Sequence, residues 1–324
     1  MIERLITTLF ADDTTVYLRQ YDRWETLHET LDNWCKASGA KFNIDKTKLL
    51  PIGSPEYRQQ VIATRRLDPS QNEIPPYIEI VGDGVPARSL GCQIGNRVDE
   101  PAQWNPALTK VDSGLDRWGN LYPTLNGKRH VANFTAAGYT QYLAKVQEIP
   151  KEVEQNLIKR LRTFIWGSEK APPLALRKLY DPIEEGGLKL IDLETRTEAI
   201  RLTWLQNYLK FGPERPRWAF VVDALINKNI SKSGPQAPEE VRINVMTQTW
   251  NANLFQQTSL PREISEMFKV GKKYGIHLMA PQPTLALQSQ LPVWYPIGQD
   301  PSKQRRYTSK ECECLRAKHR ILTV

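Results

Sequence analysis

The spacing of apolar residues changes at Pro101, and that change confines the chain to folds that join a strand-rich front to a helical continuation. Before Pro101 the pattern is short and alternating. Leu5 to Phe10 and Thr14 to Leu18 flank Asp12-Asp13 and read as a tight β-hairpin. Over Lys41 to Leu50, Phe42 and Ile44 alternate with Asn43 and Asp45, which predicts a strand with Lys46 and Lys48 on one face. Tyr77 to Val81, the turn Gly82-Asp83-Gly84 and Val85 to Ile94 read as a second hairpin, with Gly91 and Gly95 allowing close backbone approach. Two helices interrupt the strands. Asp22 to Ser38 sets Trp24, Leu27, Leu31, Trp34 and Cys35 at helical spacing before the stop at Gly39, giving an amphipathic helix suited to cover a sheet face. Ser54-Pro55 opens a second helix to about Leu67.

After Pro101 the spacing is helical. Trp104, Leu108, Val111, Leu115 and Trp118 mark one helix, and Lys128 to Ile149 and Lys151 to Trp166 mark two more, split by Pro150 and stopped at Gly167. Asp192 to Lys210 adds another, presenting Leu193, Ile200, Trp204 and Leu205 toward a core. The expectation is an α+β front over residues 1–100 and an all-α bundle over 101–211. A mixed helical, proline-rich region over 212–300 and a basic tail over 301–324 follow. Ten of the 23 prolines fall between Gly212 and Pro301, around helical fragments at Trp218 to Ile226, Val241 to Phe255 and Ile264 to Val270.

A chain of 324 residues with 40% hydrophobic and 25% charged residues supports one large or two to three ordinary globular domains. No apolar run approaches the ~20 residues a bilayer span requires, and no signal-peptide layout opens the chain, so the expected address is intracellular, nuclear or cytoplasmic, with no membrane partner. Four cysteines are too few for a disulfide framework. Cys312, Cys314 and His319 supply three zinc-type donors where a structural site takes four. The net charge of +8 favours polyanionic partners. Seven basic residues against two acids lie between Pro301 and Val324, a solvated end or a nucleic-acid contact. The four histidines form no nucleophile constellation, and no phosphate-cradling glycine loop is present.

Asp12-Asp13 has two readings from the residues alone. Hairpin turns favour Asp for backbone reasons. Adjacent carboxylates also suit hard divalent cations, which take oxygen ligands together with substrate phosphates.

The order of several stretches resembles the reverse transcriptase of non-LTR (LINE-type) retrotransposons, in particular fungal ones. Phe10-Ala11-Asp12-Asp13 resembles that family's catalytic hairpin, Ala37 to Thr47 the palm segment after it, and Leu90-Gly91-Cys92-Gln93-Ile94-Gly95 the hairpin that grips the primer end. Leu125-Asn126-Gly127-Lys128-Arg129 to Val153, Phe164-Ile165-Trp166-Gly167 and Glu184 to Leu190 resemble the thumb and the segment after it. Pro292-Val293-Trp294-Tyr295 and Cys314 to His319 resemble the linker that precedes an RNase H domain in fungal elements. The resemblance is thinnest from Gly212 to Leu291.

The resemblance implies a partial polymerase palm followed by a helical thumb, acting on an RNA template, a DNA primer and deoxynucleoside triphosphates with Mg²⁺ and no small-molecule cofactor. By it, Asp12 and Asp13 are metal ligands, Lys46 meets the triphosphate or the leaving pyrophosphate, and Lys48 competes for that role. Phe10, Leu90 and Gly91 lie near the primer terminus or nucleotide. Arg129, Lys145, Arg160, Arg162, Arg305 and Arg306 are the implied phosphate contacts. The family draws a further catalytic aspartate from an earlier palm strand, whereas eleven residues precede Asp12 here. The expectation is therefore a truncated RNA-directed DNA polymerase, inactive by itself; the alternative is a non-enzymatic nucleic-acid-binding remnant that uses thumb and tail.

Overall fold

Among the described residues, each strand in the front of the chain pairs with one other. The computed structural model describes residues 7–167, 172–229, 260–276, 285–294 and 309–324. Val241 to Phe255, Tyr295, Arg305 and Arg306 lie outside the described residues. Strand β1 (Thr7–Phe10) runs antiparallel to β2 (Asp13–Val16) with Phe10 opposite Asp13. The two-residue strand β3 (Lys48–Leu49) lies parallel to β4 (Glu79–Ile80), and β5 (Ala87–Ser89) turns back on β6 (Cys92–Ile94). These are three separate two-stranded sheets among the described residues. Together with the helices below they make the chain α+β, as expected.

Two strand expectations are corrected. Over Lys41 to Leu50 only Lys48–Leu49 is strand; Ile44–Lys46 is a 3₁₀ turn, so Lys46 and Lys48 do not share a strand face. The Asn43 side chain accepts a bond from the Lys46 N–H at 3.2 Å, a local alternative that competes with ladder bonding. The second hairpin also turns elsewhere. Val85 N–H does close the Gly82 turn at 3.2 Å, but the segments flanking it do not pair. Ile74 and Ile78 are buried with Val61 and Leu67, with Leu49 and Ile80 packed on them, so apolar burial draws β4 to β3. The hairpin turn is Leu90-Gly91, with φ of 47° and 84°. Positive φ at both loop residues is the twist that two-residue hairpins favour.

Helix α1 (Trp24–Ser38) ends at Gly39 with φ 74°, as its sequence predicts. None of its residues is buried and Trp34 is exposed, so its apolar stripe is only half covered. Helix α2 (Pro55–Thr64) starts where Ser54 accepts the Tyr57 N–H at 3.3 Å. It stops short of Leu67 because Arg65 turns left-handed at φ 53°. The Arg65 guanidinium then donates to the carbonyls of Ile74, Pro75 and Ile78 at 3.0, 2.7 and 2.6 Å, tying the following loop to the helix end.

Three helices pack together next: α3 (Asn105–Gly119), α4 (Leu125–Val146) and α5 (Lys151–Trp166). Trp104, Leu108, Val111 and Leu115 are buried, as are Val153, Leu157, Leu161 and Ile165 of α5. The buried side of α4 is small, namely Ala132, Thr135, Ala136, Thr140 and Ala144, and this lets α3 come close. A Cβ on Gly114 would stand 2.8 Å from Thr135 Cγ2. After α6 (Leu176–Tyr180) the chain folds back, with Leu188 and Leu190 N–H groups both donating to Leu179 O. Gly187 makes that fold possible, since a Cβ there would lie 2.0 Å from Asp181 O.

The chain divides into two compact units, residues 1–191 and 192–324. The second holds α7 (Leu193–Tyr208), α8 (Arg217–Asn229), α9 (Arg262–Lys273), α10 (Leu285–Gln288) and α11 (Lys310–Ala317). Helix α7, expected in the bundle over residues 101–211, packs on α9 in this unit. Leu205, Tyr208, Ala219, Val222, Ile226, Met267 and Phe268 form its core. Trp204, expected inside, is partly exposed and meets the edge of Trp218 at 5.2 Å. The segments around Trp294 and His319, far apart in sequence, come together: Val293 N–H donates to Leu322 O at 3.1 Å, and the buried Trp294 donates to Ile321 O.

Candidate functional site

Asp12 and Asp13 stand at the tip of a hairpin that little else covers. Asp12 lies in the loop and Asp13 opens β2. Ala11, the other loop residue, has φ 51°, a strained conformation for a residue with a Cβ. Leu9 and Phe10 beside it are 74% and 66% exposed, so the carboxylates sit at an apolar, open tip. Neither carboxylate makes an ion pair or hydrogen bond among the described residues. Their chemistry suits Mg²⁺, which binds through one or two carboxylates and phosphate oxygens. No group of three His, Cys, Asp or Glu comes together among the described residues, whereas a two-metal clamp draws on more than one carboxylate pair. The same finding leaves Cys312 and Cys314, two apart on α11, without a metal-ligand cluster among those residues.

The lysines expected to serve the triphosphate are placed apart. Lys46 is exposed on its 3₁₀ turn. Lys48 on β3 pairs with Glu79 on β4 at 2.8 Å, an exposed ion pair across a strand pair of two residues each. Leu90 and Gly91 form the tip of β5–β6 and touch α4, where the Tyr142 hydroxyl donates to Leu90 O. A Cβ on Gly91 would lie 3.1 Å from the Tyr142 ring. Gln147 reinforces this seam by accepting the Gln93 N–H at 3.1 Å through its side chain. The expected primer-end hairpin and the C-terminal end of α4 are thus one packed surface.

Of the basic residues, Arg160 Nε is bound to Asp112 at 2.6 Å, joining α5 to α3. Arg162 is exposed on α5 and Lys145 on the last turn of α4, while Arg129 lies against the imidazole of His130. Lys128 donates to Ile165 O at 3.1 Å and thereby caps the end of α5, a place where a cation favours the helix dipole.

Three features escaped the sequence. Arg58 is nearly buried and grips Asp83 through Nε and Nη2 at 2.8 and 2.6 Å, with Nη1 on the carbonyl of Gly53. The Arg58 bond holds the Asp83 carboxyl below its ordinary value despite burial. Glu198 gathers Lys273 and Tyr274, both at 2.6 Å. Burial raises the Glu198 pKa, but those two hydrogen bonds outweigh it and hold it low, while the same carboxylate raises that of Tyr274. This cluster satisfies itself and latches α9 to α7. The third feature is the outer side of α4, where Phe134 is 76% exposed. A period-of-four reading from Phe134 through Gly138 to Tyr142 would have found it.

Among the described residues no helix is long and apolar enough to cross a membrane. No protein-family model matches this chain, and no curated protein matches it.

Proposed function

We propose that this chain carries the metal-binding hairpin and nucleic-acid-holding helices of an RNA-directed DNA polymerase of the retrotransposon type. One observation carries the reading: two adjacent acids are displayed at the open tip of a tight hairpin, with strand-rich and then helical segments following, as the sequence resemblance to such a polymerase implies. In this reading Asp12 and Asp13 take Mg²⁺ through carboxylate oxygens, and the ions neutralise triphosphate charge. Lys46 meets the phosphates, Phe10, Leu90 and Gly91 border the primer end, and Arg129, Lys145 and Arg162 meet backbone phosphates. Template RNA, primer DNA and deoxynucleoside triphosphates are the partners.

The pair is half of a two-metal clamp, since no third donor joins it among the described residues. That observation favours a second reading, nucleic-acid binding without catalysis. Mg²⁺-dependent binding of a triphosphate separates the two, and primer extension on an RNA template tests whether the site is complete. The first reading predicts that the chain alone binds an RNA–DNA hybrid with a steep salt dependence and does not extend it. Extension by the chain alone would show a complete site, and a flat dependence of log affinity on log salt would remove both readings. Asp12→Asn with Asp13→Asn lowers Mg²⁺-dependent binding of a triphosphate in the first reading and leaves nucleic-acid affinity unchanged in the second.

A further inference from the structure

The outer side of α4 carries an arrangement that internal packing does not account for. Its buried side is Ala132, Ala136, Thr140 and Ala144; Phe134 and Gly138 fall on the opposite side, with Tyr142 at that side's edge. Phe134 projects into solvent. The Tyr142 ring is held in place by its hydroxyl bond to Leu90 O and by contact with Gly91. Between the two lies Gly138, a glycine in the middle of a 22-residue helix. Mid-helix glycine weakens a helix, and a close neighbour is the usual compensation. Gly114 has such a neighbour in Thr135, but a Cβ on Gly138 would meet nothing within 4 Å.

We infer that Phe134, Gly138 and Tyr142 form a stacking platform for unpaired bases of a single-stranded nucleic acid. Eight residues separate the two aromatic rings, about 12 Å along the axis at the helical rise. Bases stacked about 3.4 Å apart place roughly two between the rings, over the open backbone of Gly138. Aromatic faces accept any base, so such a platform is indifferent to sequence. Charge selects the polyanion over an apolar partner. Lys145 falls on the same side of α4 as Phe134 and Gly138, and α4 contains no Asp or Glu. Asn133, next to Phe134, holds Lys189 O at 3.0 Å and the Ile191 N–H at 2.8 Å, which anchors the exposed Lys189 beside the same helix.

The inference rests on nucleic-acid binding as proposed above and adds the strand type and the side chains. The test measures binding of the whole chain to a labelled 20-nucleotide oligothymidylate and to a blunt RNA–DNA duplex, by fluorescence anisotropy at several salt concentrations. Phe134→Ala is expected to weaken the single strand by about fivefold or more, with less than about a twofold change on the duplex. Gly138→Ala should raise Tm and weaken the single strand, a pairing that misfolding cannot produce. Wild-type affinity in both variants, or equal loss on single strand and duplex, overturns the platform and leaves the polymerase reading standing. A wild-type chain that binds neither probe removes both.

Discussion

Arg58 shows how one side chain organises a stretch that the sequence left as a turn. Its guanidinium bonds Asp83 and Gly53 together, so loss of the arginine leaves the Gly53 carbonyl without that bond and the carboxylate with only the more distant Arg97 at 3.8 Å. Arg58→Met is expected to lower Tm clearly, and Lys48→Met, which loses only an exposed pair, far less. The pH dependence has a definite sign. The folded Asp83 carboxyl lies below the ordinary aspartate value of 3.8, so its stabilisation is fully present above that value and is lost as pH falls through the depressed one. Acid titration of stability should therefore be shallower in Arg58→Met than in the wild type; parallel curves would refute the role given to this pair. Glycines divide the same way. Gly138→Ala should stabilise by about 0.5–1 kcal/mol because its Cβ meets open space, and Gly114→Ala should destabilise because its Cβ meets Thr135, as thermal melts would show.

Among the elements, α2 and the β5–β6 hairpin depend on local chemistry. Removal of the Ser54 hydroxyl leaves the Tyr57 N–H without its cap, and Ser54→Ala should cost about 1 kcal/mol in denaturant unfolding. At the Leu90-Gly91 turn a leucine holds a conformation suited to Asn or Gly. Leu90→Asn should raise Tm, and Gly91→Ala should lower it through both its φ and the nearby Tyr142 ring; an unchanged Tm in both would count against the turn as described. The helices α3, α4, α5 and α7, and the stops at Gly39 and Gly167, were legible because period and cap are local properties. The strand partners were not. A run of two or three residues carries no record of which neighbour it will meet, and the burial of Ile74 and Ile78 settled the partner of β4.

For the whole molecule, the division at Asp192 predicts that the two units report separately. In the second, Arg215 is buried against Asp223 at 2.6 Å, with Tyr208 donating to the other carboxylate oxygen at 2.7 Å. Asp223→Ala removes the carboxylate that Arg215 and Tyr208 share and should cost about 3–5 kcal/mol. Hydrogen exchange should place that loss in residues 192–229 and 260–276 and leave α3 to α5 unchanged; uniform loss over both units would mean that they unfold as one. The sequence by itself determined the α+β class, the helical continuation after Pro101 and the adjacent acids in a tight hairpin, because each depends on residues close along the chain. Tertiary structure alone decided that no third donor joins Asp12 and Asp13 among the described residues, that Tyr142 backs Leu90, and that Phe134 faces water. Those outcomes depend on which side of each helix the rest of the chain covers, and packing sets that.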